Sequence, residues 1–574
     1  MSTPKGIFLE LIKPDGQPER QLCQYEALHM CLTDPINTYL RGNRKRGSVS
    51  KDRWGTTISF PEDAPGPIPV HTPKLTVCPD VTHWKDTVHV PDLSVCSEGW
   101  EECRTRSRAA ADAEGKLLAG FMGTGIFEQC HFLMGFEDTL TALYEHPDEM
   151  HELIETITQY RLDYVRRLID GLQPDVIFSH DDWGTKNALF MKPDMWREFF
   201  KEPYRRFYGY IRSRGVIAIH HADSYLVPIV DDMAEIGIQV WQGTLPENDI
   251  PALQRHLSGK LTLMGGFGAA IDRADAQPDE ILAYARDTLA RYCPGGHFIP
   301  SITYGLAGTV FPHVDQYLDQ AVNEYNAGLH IPVTLLPAVP KREIGAAKAE
   351  VVQAAASAQE SADVFENIAR ALERGQQKKL LTLCQQALDE GHEPGDILSK
   401  GMIIGMNRLG EAFSANRAFV PEMLMAARCM SAATELLKPL MVGEGTEPVG
   451  RVCLGTVKGD MHDIGKNLVR IMMEGSGIEV FDLGVDTSAE QFVSTAVENH
   501  CGVIACSSLL TTTMEEMREV VKLVHERGLQ DQIKVMVGGA PISQSFCDEI
   551  GADAYTEDAA SAAREAASLL RRGQ

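Results

Sequence analysis

KGDMHDIGKN, Lys458 to Asn467, follows the apolar run RVCLGTV and opens the amphipathic segment KNLVRIMME. Strand, short loop and helix is the setting in which nucleotide folds keep a glycine-rich phosphate cradle, yet this loop carries two aspartates and a histidine. Acidic side chains beside a phosphate cost electrostatic energy, and neither GxGxxG nor GxxxxGK(S/T) is present. A histidine two residues after an aspartate can give one ring nitrogen to a metal while the other donates to the carboxylate, which fixes the tautomer and raises ligand basicity. With no second or third protein ligand nearby, the loop suits a single axial bond from His462 to a metal already held by a macrocycle.

The surroundings of the loop sharpen this reading. From 447 to 574 the strand-like runs RVCLGTV, IEVFDLG, GVIACSS, KVMVGGA and ADAYTED alternate with helical patterns. Five strands with intervening helices fit an open, Rossmann-like doubly wound sheet, whose ligand site lies at the carboxyl ends of the strands. Asp460, His462 and Gly465 form the pattern DxHxxG; 41 residues separate Gly465 from Ser507, which begins Ser507-Ser508-Leu509, and 28 more lead from Leu509 to Gly538 and Gly539. Three signals thus fall at three neighbouring strand ends. Upstream, 362–446 shows only helical periodicity, in VFENIARALERG, KLLTLCQQALDEG, GDILSKGMIIGMNRLGEAF and PEMLMAARCMSAATELLKPLM. Four amphipathic helices with Gly or Pro at the breaks read as a small bundle, with Met402, Met406, Met423, Met425 and Met430 as core filler. The alanine-rich 344–361 reads as a linker and hinge.

DxHxxG, SxL and GG together resemble the signature of the cobalamin-binding domain of methionine synthase and of the corrinoid proteins of methanogens and acetogens. The helical module, with GMNRLGEAFSANRAFVPEMLMAARCM, resembles the bundle that caps the corrin in those proteins. The resemblance implies that His462 coordinates cobalt from below in place of the cofactor's own base, with Asp460 as its hydrogen-bond partner and Thr513 completing a proton relay. It further implies that Ser507, Leu509 and Thr511 line a channel for the nucleotide tail, that Gly538 and Gly539 leave room for it, and that Met461, Asp463 and Gly465 belong to the binding loop. Such a relay takes up a proton when the axial bond breaks and releases it when the bond reforms.

Residues 1–343 begin irregularly and settle, from about Gly120, into short apolar runs each followed by an amphipathic helix, the rhythm of a parallel (β/α)8 barrel. DVIFSHDDWGTKNALFMKPDMWREFFKEPYRRFY, IAIHHADSYLVPIVDDMAEIGIQVWQ and GGHFIPSITYG resemble the uroporphyrinogen decarboxylase superfamily, which includes methyltransferases of methanol, methylamine and chloromethane metabolism. Barrel first and corrinoid domain last is the order of the chloromethane corrinoid methyltransferases. The arginine-bearing motif PVWxMRQAGR associated with porphyrinogen decarboxylation does not occur, and KDRWGTTISF stands in the early region instead; function must come from the site.

Members that methylate thiols hold zinc with His-x-Cys and a later Cys. Matching His220 to that histidine puts Ala222 at the first cysteine position and Thr303 near the second, which argues against a zinc-bound thiol and leaves His220, His221 and Asp223 as donors for some other metal. The candidate donor-site residues are His180, Asp181, Asp182, His220, His221, Asp223 and Tyr304, with Trp241 and Gln242 beside them. His220 and Asp223 stand first, and Glu128 with His131 forms a second pair. At the carboxyl ends of barrel strands such groups can orient a methyl donor and protonate its leaving oxygen.

The formal charge of −26 speaks against a nucleic-acid partner, because phosphate binding needs clustered Lys and Arg. Thirteen cysteines without a CxxC pair read as reduced thiols, and the chain shows neither a signal-peptide core nor an apolar run of membrane-spanning length, so the expectation is a cytoplasmic protein off the membrane. The whole reads as a cobalamin-dependent methyltransferase of α/β multidomain class. It moves a methyl group from a small-molecule donor, preferably a methoxylated compound, to protein-bound Co(I). Onward transfer is to a separate acceptor methyltransferase such as a tetrahydrofolate-dependent one, with reductive activation supplied by another protein. Two other readings stay open at this stage: transfer from methylated cobalt to an acceptor in the barrel, and a non-catalytic corrinoid carrier or sensor.

Overall fold

Short apolar strands buried on both faces, each followed by a helix that covers them, build a parallel sheet, and the chain does this twice. The computed structural model describes residues 3–41, 45–60, 67–305, 310–328, 363–415, 417–441, 449–460, 464–509, 513–539 and 542–572. The chain divides into two units, Met1–Val351 and Val352–Gln574. The linker and hinge expected at 344–361 lies outside the described residues.

In the first unit seven parallel strands run in chain order: β1 (Leu28–Cys31), β2 (Leu117–Met122), β3 (Val176–His180), β4 (Ile217–His221), β5 (Val240–Thr244), β6 (Thr262–Phe267) and β7 (Phe298–Ile302). Alternate residues such as Phe121, Phe178, Ile219 and Met264 fill one interior cluster. The intervening residues pack under helices including α1 (Ile126–Met134), α2 (Pro147–Leu172) and α3 (Glu202–Ser213). Eight strands were expected, and seven are formed among the described residues. The free edge of β7 is met by the irregular segment before β1, where Gln24 N–H donates to the Pro300 carbonyl at 2.8 Å and the Gln21 amide to that of Phe298 at 2.9 Å. The four residues of β1 carry no strong strand signal of their own and become a strand by pairing with β2. A small antiparallel sheet, Ser48–Lys51, Thr57–Phe60 and Ile68–Pro69, stands apart.

The second unit starts with four helices, α4 (Val364–Glu373), α5 (Gln377–Asp389), α6 (Ile403–Ser414) and α7 (Val420–Met441), a π-helical turn over Ile397–Met402 leading into α6. Met402, Met406, Met423 and Met430 are buried in the bundle, as core filler should be, while Met425 is half-buried. The five-stranded parallel sheet that follows has β8 (Arg451–Thr456), β9 (Glu479–Asp482), β10 (Val503–Ser507), β11 (Lys534–Gly538) and β12 (Ala554–Thr556) in the order β9-β8-β10-β11-β12. Helix α8 (Ile464–Gly475) returns from β8 to β9 and packs against α7 and α6. The strand order reverses at β8, so chains leave β8 and β10 in opposite directions and a crevice opens between their carboxyl ends. All thirteen cysteines are free thiols, and among the described residues no helix is long and apolar enough to cross a membrane.

Candidate functional site

At the crevice of the second unit, Asp460 ends the turn after β8 and is fully buried. One carboxylate oxygen, Oδ2, accepts from the Leu509 backbone N–H at 2.7 Å, from Thr513 Oγ1 at 3.1 Å and from Ser508 Oγ at 3.3 Å. The two hydroxyls lie 2.9 Å apart. Two loops, one after β8 and one after β10, are thereby tied through a single carboxylate, and a charged acceptor buried with this many donors is strongly held. Below it, Ser507 pairs in register with Thr456 and with Gly538, and Gly538 with Thr556, a row across the carboxyl end of the sheet. Gly539 sits at φ +134°, with the space for a side chain taken by the Ser508 carbonyl; only glycine allows the backbones this close. Leu509 stands 44% exposed beside the row, and among the described residues a Cβ added at Gly465 would meet no atom within 4 Å. Met461, His462, Asp463 and Thr511 lie outside the described residues. Ser508 is the participant that sequence reasoning passed over, though the Ser507-Ser508 doublet was its signal. The buried carboxylate two residues before His462, and the open glycine-edged row beside it, fit an axially ligated corrinoid.

In the barrel the last row of register aligns His180 of β3 with His221 of β4, and His221 with Gln242 of β5. The two imidazoles stack with centroids 4.6 Å apart. His180 Nδ1 donates to Glu128 Oε2 at 2.9 Å, and its Nε2 lies 3.8 Å from Asp182 Oδ2. His221 Nδ1 bonds the Gln242 side-chain oxygen, and the Gln242 amide donates to the Ile302 carbonyl at 2.9 Å. Asp182 Oδ1 accepts from the Asp223 backbone N–H at 3.1 Å.

Burial disfavours the charged forms of His180 and Glu128, but each offsets this for the other: His180 is raised to about 10 and Glu128 held at about 2, an ion pair. His221, buried beside that cation, drops to about 3 and is neutral. Burial and the Glu128 charge lift Asp182 to about 6 against the pull of His180. Asp223 rises through burial and the neighbouring Asp182.

Three of the sequence candidates are not part of this group. His220 faces the helices: its ring stacks on Trp183 at 4.1 Å, pairs with the Tyr208 hydroxyl at 2.7 Å, and is held neutral by burial and by His221. The reason is strand alternation, which turns neighbouring residues to opposite faces; with Ile217 and Ile219 inside, His221 is the histidine that enters the mouth. A His-x-Cys pattern is therefore matched here by His221 and Asp223, not by His220 and Ala222. Asp181 alternates outward too and caps α1, accepting from Phe127 N–H at 3.0 Å and Glu128 N–H at 2.9 Å and from the Tyr204 hydroxyl. Gly125 must be glycine there, because a Cβ would run into the Asp181 side chain. Tyr304 donates to Asp272 at 2.6 Å and pins the chain after β7. Glu128, a secondary candidate from sequence, is the direct partner of His180; His131 is half-buried nearby, and desolvation lowers its pKa to about 4.

Comparison with known proteins places names on these regions. A B12 binding domain family matches residues 450–566, a second B12 binding domain family matches 364–438, and the uroporphyrinogen decarboxylase (URO-D) family matches 49–325. Dimethylamine corrinoid protein 2 of Methanosarcina acetivorans is 43% identical over 179 residues, 31% of this chain and 83% of that protein. The dimethylamine corrinoid protein of Methanosarcina barkeri is 39% identical over 209 residues, 36% of this chain and 98% of that protein. The crystal structure of the methanol:cobalamin methyltransferase complex of Methanosarcina barkeri is 25% identical with a TM-score of 0.35, covering 45% of this chain and 92% of that one. The chain belongs to the corrinoid-protein family and carries its B12-binding modules behind a URO-D domain in a single polypeptide.

Proposed function

We propose that the barrel takes the methyl group from an oxygen, in a methoxylated small molecule, and that a separate methyltransferase, such as a tetrahydrofolate-dependent one, receives it, with a separate protein keeping the cofactor reduced. The observation that carries this reading is the mouth itself. His180, His221, Gln242, Asp182 and Asp223 present nitrogen and oxygen groups, and Asp223 and Thr303 stand where the thiol-methylating relatives keep sulfur. A leaving oxygen needs its developing charge neutralised, and a mouth of this kind supplies that.

When bound, the corrinoid supplies a cobalt centre that accepts and gives up a methyl group. His462 would offer its imidazole to that cobalt, with Asp460 as the partner of the ring's other nitrogen. Asp460 Oδ2, Thr513 Oγ1 and Ser508 Oγ form a connected set within 3.3 Å along which a proton can be held or passed. Ser507, Leu509, Thr511, Gly538 and Gly539 would border the nucleotide tail of the bound cofactor. In this reading the catalytic barrel spans 1–343, the linker 344–361, the capping bundle 362–446 and the corrinoid-binding domain 447–574.

The test is anaerobic reconstitution with cobalamin, reduction, and a screen of methyl ethers, methoxylated aromatics, methylamines, methanethiol and methyl halides by corrinoid absorbance. Methylation by a methoxylated compound is expected. A response confined to thiols, amines or halides would overturn the choice of donor.

A further inference from the structure

We propose that Asp486, on the loop after β9, is a positioning residue for the axial ligand: it clamps the turn from which His462 is presented to the cofactor. The proposal rests on the corrinoid reading above and deepens it. The order β9-β8-β10 puts the loop after β9 on one side of the turn after β8 and the loop after β10 on the other. From the β10 side Asp460 is held by its side chain, through Leu509, Thr513 and Ser508. From the β9 side the same turn is held by its backbone. The Asp486 N–H donates to the Asp460 carbonyl at 3.0 Å, and Asp486 Oδ1 accepts from the Gly459 N–H at 2.8 Å. The Asp460 carbonyl lies in the peptide plane that joins Asp460 to the next residue. Fixing that oxygen therefore fixes the direction in which the chain leaves toward His462, two residues on.

The clamp is continuous with the sheet. Beyond the last strand pair, Leu454 with Asp482, the two chains stay together. Thr456 N–H donates to the Gly484 carbonyl at 3.0 Å, Thr487 N–H donates to the Thr456 carbonyl at 2.9 Å, and Val457 bridges Thr487 in parallel. Asp486 carries this pairing on to Gly459 and Asp460. Gly459 sits at φ +79° with the Thr513 methyl 3.3 Å from where a Cβ would stand, so the turn has little room to shift toward β10.

A second observation is the conformation of Asp486 itself. Its φ is +53°, a left-handed backbone that a non-glycine residue adopts only at a cost. The side chain is exposed, so burial does not offset that cost. The rest of the loop is tied without it: Asp482 Oδ1 accepts from the Gly484 N–H at 2.9 Å, and Ser488 and Gln491 cap the helix Ala489–Glu498 reciprocally. An aspartate serving only its own turn bonds within that turn; this one reaches across 27 positions of sequence. The left-handed backbone aims both the N–H and the carboxylate of one residue at the neighbouring turn. In the corrinoid reading the imidazole takes the place of the cofactor's own base, and a ligand carried on an ordered turn meets the metal without the entropy cost of ordering it then.

The test uses the full chain loaded with cobalamin. Equilibrium dialysis reads cofactor affinity, and the urea midpoint reads the stability of the cofactor-free chain. Electron paramagnetic resonance with nitrogen-15 histidine reads the share of bound Co(II) cobalamin that carries a protein nitrogen. Asp486→Asn keeps an acceptor oxygen and tolerates the left-handed backbone, so it should match the unaltered chain within about twofold. Asp486→Gly keeps the backbone and the N–H but loses the acceptor; it should lower affinity about 3- to 10-fold and reduce the histidine-ligated share. Asp486→Ala also disfavours the backbone and should lower affinity about 10- to 50-fold. Glu490→Gln, which removes an exposed ion pair with Arg527, should leave affinity and the ligated share unchanged. A ligated share untouched in D486G and D486A would overturn the proposal, and so would a fall in urea midpoint with no change in that share. His462→Ala keeps the two readings apart. An axial signal indifferent to that substitution refutes histidine ligation and the clamp with it; a signal lost in H462A but kept in D486A refutes the clamp alone.

Discussion

Asp460 concentrates the chemistry of the second unit in one side chain. Its Oδ2 takes three donors while fully buried, so removing the charge should be felt by the imidazole it is proposed to back. Asp460→Asn is expected to weaken cobalamin retention by about 10- to 100-fold, read by equilibrium dialysis. Thr513→Val removes one donor of three and should cost about 1–2 kcal/mol in unfolding free energy, with a smaller loss of cofactor affinity. Gly539→Ala puts a Cβ into the Ser508 carbonyl at a φ that only glycine adopts easily. It should cost on the order of 1–3 kcal/mol and, by displacing Ser508, lower cobalamin affinity as well, both measured on the same preparation. The spacing of Asp460, Ser507 and Gly538 was legible in the sequence because Ser507 and Gly538 end strands of obvious apolar pattern and Asp460 closes the turn after one. Ser508 was not, because the residue that turns inward after a strand end depends on the backbone path of the loop.

Elements decide which of two neighbouring polar residues reaches a site. The run IAIHHADS shows two histidines and an aspartate but not which histidine faces the interior; the register of β4 against β3 settles it in favour of His221. DVIFSHDD has the same ambiguity. There His180 and Asp182 enter the mouth while Asp181 turns back to cap α1, so Asp181→Ala should lower stability by about 2–3 kcal/mol in urea unfolding, through the start of α1. The short helix Pro35–Arg41 is capped by Asp34, whose Oδ1 accepts from Ile36 and Asn37 N–H at 3.1 and 3.0 Å while Oδ2 is buried without a hydrogen bond. Burial raises its pKa to about 6. The folded chain then holds this proton more tightly than the unfolded chain, whose carboxyl titrates near 4. The stability this group contributes is complete below about pH 4 and is lost as pH rises through about 6, a loss of up to about 3 kcal/mol. Asp34→Asn should remove that slope between pH 4 and 7, followed by denaturant midpoints.

At the scale of the molecule, the alternation of strand and helix announced two parallel sheets and an all-helical segment between them. The four helices and five strands of the second unit fall where their periodicity puts them. The barrel was legible in outline, but its first strand is only four residues long and made by pairing, and its closure uses Gln21 and Gln24 in a segment with no strand pattern. Pairing across the chain is a long-range event that local sequence does not encode. A corrinoid module and a URO-D barrel stand in one chain, and the central claim proposed for the corrinoid module is that an imidazole of this chain binds cobalt. The most direct measurement is the electron paramagnetic resonance spectrum of the cobalamin-loaded chain in its Co(II) state, with histidine at natural abundance and with histidine labelled in nitrogen-15. The account predicts that labelling changes the axial nitrogen splitting from three lines to two and that His462→Ala abolishes this change. A spectrum indifferent to the label, with the cofactor's own base still on cobalt, would contradict it.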